Sequence, residues 1–454
     1  MSLSNLLNIS KAAMLAHQSA INTTARNIAN VNTLGYRRRR VDISQLTSNS
    51  GYMGFSRLNG VYGQEGVSLI RHQFVENQLR YEHQGLGRYQ SDEMMLTQVE
   101  DIFSEPLDSG LANVMSEFWN SWSDLANDPT SQSAHSMVRD KGVLLANSFN
   151  RVHSELQDLQ NQISMDVKDK TDQTNQMITQ LADLNKQISS SLSDQLLDQR
   201  DQLLNELSTM INIDVAEQSN GTVSVAANGQ VLVSGNYKNL LAAEVISEDG
   251  SNHVKFSTEN GSGVLDVSGG ELGSLLNMAN KNIPQYISKL DELARGLAER
   301  VNAVHSSGMN LDGVTGLSFF ADDVSGAADM VVNSAILGDP SLIATGAASG
   351  TPGDGSIAQA ISDIQNEEIV EGSTSGDFYH MLISRVGSQL QESSFLRSSQ
   401  EMVVQSLENQ RDSVSGVSLD EEMTMLLEFE KGYEASARLI ATVDELMQTV
   451  INMV

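Results

Sequence analysis

Apolar residues recur at seven-residue intervals near both ends of this chain. Leu7, Met14, Ile21 and Ile28 form one series, flanked by Leu3, Leu6, Ala13 and Ala20 on the same helical face. Ser10, His17 and Thr24 interrupt that face, so the seam is only moderately apolar. Near the other end, Leu419, Leu426, Tyr433, Ile440, Met447 and Val454 keep the same interval. Phe429, Val443 and Val450 follow three residues after members of that series. The pattern is a coiled-coil seam. Gly416 and a Ser418–Glu421 capping box mark its start. At ~1.5 Å per residue the helix would run roughly 50 Å.

Between the ends the period is first helical. Leu145, Phe149, Val152, Leu156, Leu159 and Ile163 keep 3–4 spacing within 134–189, and Met177, Leu181, Leu184 and Ile188 resume it. The intervening SMDVKDKTDQTNQ is poor in apolar residues and is expected to be exposed. DQLLDQRDQLLNELSTMIN (194–212) predicts a further helix. Over 215–235 the period changes to two, and Asn220-Gly221 and Asn228-Gly229 supply the positive φ angles of tight hairpins. Strand-and-turn rhythm continues to about 270. Helical spacing returns with Ile287, Leu290, Ala294, Leu297, Val301 and Val304, and Pro284 suits a first helical turn. Residues 307–356 are rich in Gly, Asp and Ser, and a last helical region follows over 357–412 before RDSVSG.

These elements predict a mainly α chain with an inserted small β domain. Residues 1–40 and 413–454 form a terminal antiparallel coiled coil, and 41–85 an extended connector. Residues 86–212 and 272–412 form a discontinuous helical bundle, and 213–271 the β-rich outer domain. If the ends pair with their termini together, residue 3 lies near 453 and residue 30 near 426.

The chain has 454 residues, a formal net charge of −30 and no cysteine. The charge argues against nucleic-acid binding, since phosphates require a broad basic surface. Absence of cysteine excludes disulfides, thiolate metal sites and cysteine nucleophiles together. It fits a cytosolic protein, or one that stays unfolded and uncross-linked during export. No apolar run approaches the roughly 20 residues that span a bilayer, and MSLSNLLNISKAAML does not read as a cleavable signal peptide. Neither membrane insertion nor a nucleic-acid partner is expected.

The charge is unevenly placed. Residues 1–40 hold Lys11, Arg26, Arg37, Arg38, Arg39 and Arg40 and no acid; 418–454 hold eight acids against Lys431 and Arg438. Antiparallel pairing brings the arginine run near Asp420, Glu421 and Glu422, which also suit the positive end of their own helix dipole. A solvated charge run is the bland alternative, and a nucleic-acid or targeting patch a weaker one. The terminal pair alone is marginal in burial. Packing against copies of itself would cover its remaining faces; folding back on its own bundle is the other way to do so.

No catalytic constellation is present. The eight histidines lack HExxH spacing, and GxSxG and P-loop motifs are missing. GTPGDG (350–355) lacks the lysine and strand–helix context of a phosphate cradle. Asp322, Asp323 and Asp329 lack the alternating oxygen spacing of an EF-hand. Tyr433 and Met447 fit core positions of the heptad better than a ligand site. No active site, metal or cofactor is expected.

ANVNTLGYRRRR (29–40) resembles the motif after the first helix of bacterial flagellar axial proteins, the rod, hook and hook-associated proteins. The family usually has Pro-Gly where this chain has Leu34-Gly35; Gly35 still provides the positive φ of a type II turn. Asn30, Asn32, Gly35 and Tyr36 carry this turn. SGVSLDEEMTMLLEFEKGYEASARLIATVDELMQTVINMV resembles the hook-associated branch more specifically, as do LLDQRDQLLNELS with NGQVLVSG, and LDELARGLAERVNAVHSSGMNLDG. The resemblance implies a structural subunit of the hook–filament junction, not an enzyme, arranged as a ring of about eleven copies. It implies contact with hook protein below and a second junction protein, hook-associated protein 3, above. It also implies type III export with a cytoplasmic chaperone on the C-terminal helix, an outward β domain and no further outer domain. A hook or rod subunit is the sibling reading. An enzyme on a flagellar scaffold and a cytoplasmic coiled-coil adaptor are the readings from other classes.

Overall fold

The computed structural model describes residues 3–33, 36–46, 61–69, 73–103, 110–248, 251–261, 263–347 and 353–453. Gly35, His72, Val454 and residues 350–352 therefore lie outside the described residues. The chain opens with α1 (Leu3–Ala29) and an antiparallel hairpin, β1 (Arg39–Leu46) with β2 (Val61–Leu69). Four helices follow: α2 (Gln73–Phe103), α3 (Leu111–Asn127), α4 (Gln132–Ser190) and α5 (Asp194–Met210). Then come β3 (Asp214–Glu217), β4 (Val223–Ala227), β5 (Gln230–Ser234), β6 (Tyr237–Lys238), β7 (Leu241–Glu248) and β8 (Ser251–Thr258). Next are α6 (Gly270–Asn277), one turn of π-helix at Met278–Asn282, and α7 (Ile283–Ser307). Short elements β9 (Gly308–Met309), α8 (Ser334–Gly338), β10 (Gly346–Ala347) and α9 (Ser356–Asp363) lead to two long helices, α10 (Ser375–Ser415) and α11 (Leu419–Met453). The fold is mainly α, with a small β unit inserted and the two chain ends paired.

Helix α4 is the spine. Ser131 caps it, accepting from the Ala134 amide, and the helix then runs 59 residues without a break. Its polar middle is exposed on one side only: Lys168, Asp169, Asp172 and Gln173 face out, while Ser164, Val167, Thr171 and Thr174 are buried. The hydroxyls of Ser164, Thr171 and Thr174 donate back to the carbonyls of Gln160, Val167 and Lys170 at 2.8, 2.6 and 2.7 Å. A hydroxyl satisfied by its own helix loses most of the cost of leaving water, so these residues can face the interior.

The β unit is attached to helices through asparagine side chains. Asn185 on α4 accepts from the Val223 amide and donates to the Val223 carbonyl, at 2.9 and 2.8 Å. Asn175 does the same for Leu241, at 2.8 and 2.9 Å. Asn280, in the π-helical turn, grips Val254 at 2.7 and 2.9 Å. Each amide stands in for a missing neighbouring strand, which closes backbone groups that would otherwise be buried unpaired. The sheet order is β3-β4-β5-β6, with β7-β8 as a separate hairpin. Asn228 and Gly229 have φ of 44° and 79°, as the Asn-Gly turn requires.

Two expected boundaries move. The 41–85 connector contains the β1–β2 hairpin, and from Gln73 onward it is already helix α2. The last helical region divides into α9 and α10, because Glu371 and Gly372 adopt positive φ before Thr374 caps α10. The inserted strands also share one continuous core with the bundle rather than forming a separate one: Val223, Val225 and Phe256 pack in the same cluster as Leu156 and Leu290.

At one end of that core Phe118, Trp122, Phe319 and His305 meet edge to face or tilted. His305 is 1% exposed. Its Nδ1 lies 2.6 Å from the Leu317 carbonyl and its Nε2 accepts from the Ala344 amide at 2.9 Å. A carbonyl can only accept and an amide can only donate, so the ring is neutral with its proton on Nδ1. Burial drives its pKa down to about 4, partly opposed by the Leu317 bond. The unfolded chain therefore binds the proton first on acidification. This contribution to stability is complete above pH ~6.5 and is lost as pH falls toward 4, by about 3 kcal/mol. Urea unfolding at stepped pH should show that loss, and His305→Gln should remove this component of the slope.

Candidate assembly interface at the chain termini

Helices α1 and α11 pack antiparallel. His17 lies against Phe429 and Gly432, and Asn27 bonds to Glu422. These pairs place the register one heptad away from the alignment expected from sequence, so the last two turns of α11 reach past the start of α1. The contact is closest at the small and polar members of the expected face, while its large members are only partly covered. On α1 the buried positions are Ser10, Ala16, Ala20, Thr23, Thr24 and Asn27; Leu3, Leu7, Met14, Ile21 and Ile28 are half-buried. On α11, Val443 and Glu422 are buried, Leu426, Phe429, Tyr433, Ile440 and Met447 are half-buried, and Leu419 and Val450 are exposed. Small side chains let the axes approach closely. A Cβ on Gly432 would stand 2.5 Å from the His17 ring, where larger residues would hold the helices apart. Ser10 and Thr23 are tolerated there because each hydroxyl donates to its own helix, at 2.8 and 3.0 Å.

The arginine run joins this pair to the body. Residues 37–39 enter β1 in extended conformation, so alternate side chains point to opposite sides. Arg37 contacts Glu76 of α2 and Asp201 of α5, each at 2.9 Å, and all three are buried. Arg39 reaches α5 as well, at 2.8 Å from Asp198 and 3.7 Å from Asp194, and lies over the Tyr36 ring. Arg38 turns the other way, to Glu421 at 2.8 Å and Glu422 at 2.7 Å. The backbone amide of Arg38 donates to the Ser415 carbonyl. Of the expected acids, Glu421 and Glu422 thus meet one arginine, Arg38, while Arg37 and Arg39 go to α2 and α5. Arg40 is exposed, and Asp420 lies exposed in the first turn of α11.

Asn27 is the hub. Its Nδ2 donates to the Arg39 carbonyl at 2.8 Å and to Glu422 at 2.9 Å. Its Oδ1 accepts from the Arg39 amide at 3.1 Å and the Tyr36 hydroxyl at 2.9 Å. All four hydrogen-bonding positions of the side chain are filled, which ties α1, β1 and α11 together. Asn30 closes the helix end by donating to the Arg26 carbonyl and accepting from the Thr33 hydroxyl, and Asn32 is exposed. Arg200 extends the charged layer by bonding Asp201, Glu217 and the Gly221 carbonyl. Burial pushes the Asp198 carboxyl up to about 6, against the pull of Arg39.

Asn27, Glu76, Asp194, Asp198 and Asp201 are not singled out by heptad reading. Their signal was available as spacing: 194, 198 and 201 share one face of a helix. A cleft of ≈ 770 Å³ opens beside this layer, lined by Asn32, Tyr36, His83, Asp198, Glu408 and Arg411 among others. Asp329 is occupied in closing its own loop on Ser325 and Gly326. Among the described residues no group of three or more His, Asp or Glu is placed to hold a metal ion, and no helix is long and apolar enough to cross a membrane. The arrangement can orient a helical pair on a rigid body and leave apolar faces open for contact.

Comparison with known proteins bears on what such a pair contacts. The family model of the flagellar hook-associated protein FlgK helical domain matches residues 96–320. Models of the flagellar basal body rod FlgEFG protein C-terminal region and of the flagella basal body rod protein match 408–453 and 7–37. Flagellar hook-associated protein 1 of Bacillus subtilis is 31% identical over 98% of this chain and 97% of its own length. That of Escherichia coli is 26% identical over 99% and 100%. The structure of the flagellar hook junction protein FlgK from Burkholderia pseudomallei, 17% identical, superposes with a TM-score of 0.67 over 75% of this chain and all of that one, which shows a shared fold.

Replacing Arg37 by methionine takes the cation from the buried Glu76 carboxylate and leaves Asp201 to Arg200 alone, and should cost about 3–5 kcal/mol in urea unfolding. In a double-mutant cycle, Arg38→Ala and Glu422→Gln should be strongly non-additive. Additive effects would mean that the contact does not hold α11.

Proposed function

The chain belongs to the flagellar hook-associated protein 1 family, and we propose that it forms the ring joining hook to filament, assembling through α1 and α11. The family is structural rather than enzymatic, and the protein is a component of the bacterial flagellum. Rod-type sequence is confined to the two ends, whereas the body matches the hook-associated helical domain. That division favours a junction subunit over a hook or rod subunit.

The observation that carries the reading is the incompletely covered terminal pair. Met423, Leu427, Leu439, Leu446, Val450 and Ile451 are exposed along α11, and the large α1 heptad residues are only half-covered. Within α1 the charges are Lys11 and Arg26, with no acid; α11 carries eight acids against two bases. A basic face and an acidic face on one rod suit head-to-tail packing, which closes into a ring when the rotation allows. Neighbouring copies, hook protein on one side and hook-associated protein 3 on the other would cover the remaining apolar surface. Before assembly the same surface is what an export chaperone would shield in the cytoplasm, and a chain without cysteine passes unfolded through a type III channel without cross-linking. In the assembled junction outside the cell, the Arg37–Arg39 layer would hold each rod at a fixed angle to its body.

Deleting residues 418–454 should abolish incorporation into flagella and leave the body folded, as read by sheared-flagella immunoblot and circular dichroism. Incorporation of the truncated chain would contradict the proposal. Arg38→Glu should lower incorporation, and adding Glu422→Arg should partly restore it.

A further inference from the structure

The two cations of α1 lie on its outer face. Exposed positions of α1 recur at three- and four-residue spacing from Ser4 to Ala29, on the side away from α11, and include Lys11, Leu15, Asn22 and Arg26. Among the described residues neither Lys11 nor Arg26 is in an ion pair, and the same holds for Glu430 and Glu445 on α11; all four are exposed. The register inside the chain gives the reason. It sets Lys11 level with Arg438, a like charge, and Arg26 level with Met423.

Lys11 and Arg26 stand as far apart along α1 as Glu430 and Glu445 along α11. Glu430, Glu434, Ala441 and Glu445 share the face of α11 turned away from its seam. An antiparallel α1 moved seven residues toward the free end of α11 brings Lys11 level with Glu445 and Arg26 level with Glu430. Asn22 then meets Glu434, Leu15 meets Ala441 and Ala29 meets Leu427. No other antiparallel shift sets an acid of α11 level with both cations. A shift of one heptad keeps the same faces in contact. The chain's own α1 cannot take this register while Asn27 and Arg38 hold Glu422. We propose that the outer face of α1 docks, in this shifted register, on the outer face of α11 in a second copy of this chain. The proposal rests on the ring reading and specifies which faces meet, and where.

A second feature points to the same shift. The last two turns of α11 overhang the chain's own α1 by that heptad, and Val450 and Ile451 there are 51 and 72% exposed. In the shifted register the neighbour's first helical turn comes level with this overhang. Residues 1–10 and 446–454 carry no charged side chain, so two uncharged ends meet. Exposed ion pairs fix register more than affinity, and the overhang with Leu15 and Leu427 supplies the apolar burial. Charge also selects the occupant. Two chains of formal charge −30 repel except where a basic face meets an acidic one, and the outer face of α1 is basic. Contacting copies then differ in height by ~10 Å, so they lie on a helical lattice of which the ring is one segment.

The natural absence of cysteine gives a clean test. A chain carrying both Leu15→Cys and Ala441→Cys is expressed in a strain lacking the native chain, and isolated flagella are oxidised mildly. A disulfide needs Cα atoms within roughly 7 Å, and in one chain these two positions face opposite sides of the rod. A ladder of covalent dimers and higher multimers is the expected result, absent from either single variant. Leu15→Cys with Glu434→Cys, level in the unshifted register, should give at least fivefold less. Asn8→Cys with Gln448→Cys serves as a second shifted pair should the first incorporate poorly. Lys11→Glu should lower incorporation about fivefold, and adding Glu445→Lys should restore at least half of it. A ladder as strong from the unshifted pair, linkage to a different flagellar protein, no ladder from flagella containing a shifted pair, or a charge swap without rescue would overturn the contact while leaving the ring reading intact. Absence of the unmodified chain from flagella would instead defeat the ring reading itself.

Discussion

Three consecutive arginines in an extended segment make the molecule one mechanical object. Their alternation sends Arg37 and Arg39 into α2 and α5 and Arg38 into α11, so one short strand grips the body on one side and the terminal rod on the other. Helix α11 is linked to α10 through the turn at Gly416, and α1 to β1 through Asn27. Without the arginine layer, two chain ends with a thin, small-residue seam would depend on those links alone. Buried charge pairs are weak sources of net stability but strong determinants of geometry once formed, because any other arrangement strands a charge. That is the property a part needs if it must hold an angle.

The same economy appears in the body. Asparagine amides at 175, 185 and 280 replace absent strand neighbours, and serine and threonine hydroxyls on α4 satisfy themselves. A chain poor in aromatics and rich in Asn, Gln, Ser and Thr can in this way build a continuous interior. Large side chains are concentrated around Trp122 and Phe319, where the loop after α7 returns to the bundle.

The heptads at both ends, the period change near 215, the Asn-Gly turns and the mainly α class were readable in the chain, because each rests on local geometry or a short repeat. The register of the terminal pair was not. A heptad pattern is compatible with any shift of seven, and the shift is decided by Asn27, Glu422 and Arg38, which are distant in sequence. The destinations of Arg37 and Arg39 were hidden for the same reason: acids at 194, 198 and 201 share a helical face, but nothing local says which strand they meet. The buried side of the middle of α4 was not legible because composition counts Ser and Thr as polar, whereas in a helix their hydroxyls can be internally satisfied.

Hydrogen exchange compared between the free chain at low concentration and the chain in flagella tests the central claim most directly, that the rod is oriented by the arginine layer but fully covered only by its neighbours. The account predicts fast exchange along α11 beyond Tyr433 in the free chain, slow exchange in α4, and strong protection of both once assembled. Equal, strong protection of α11 and α4 in the free monomer would contradict it.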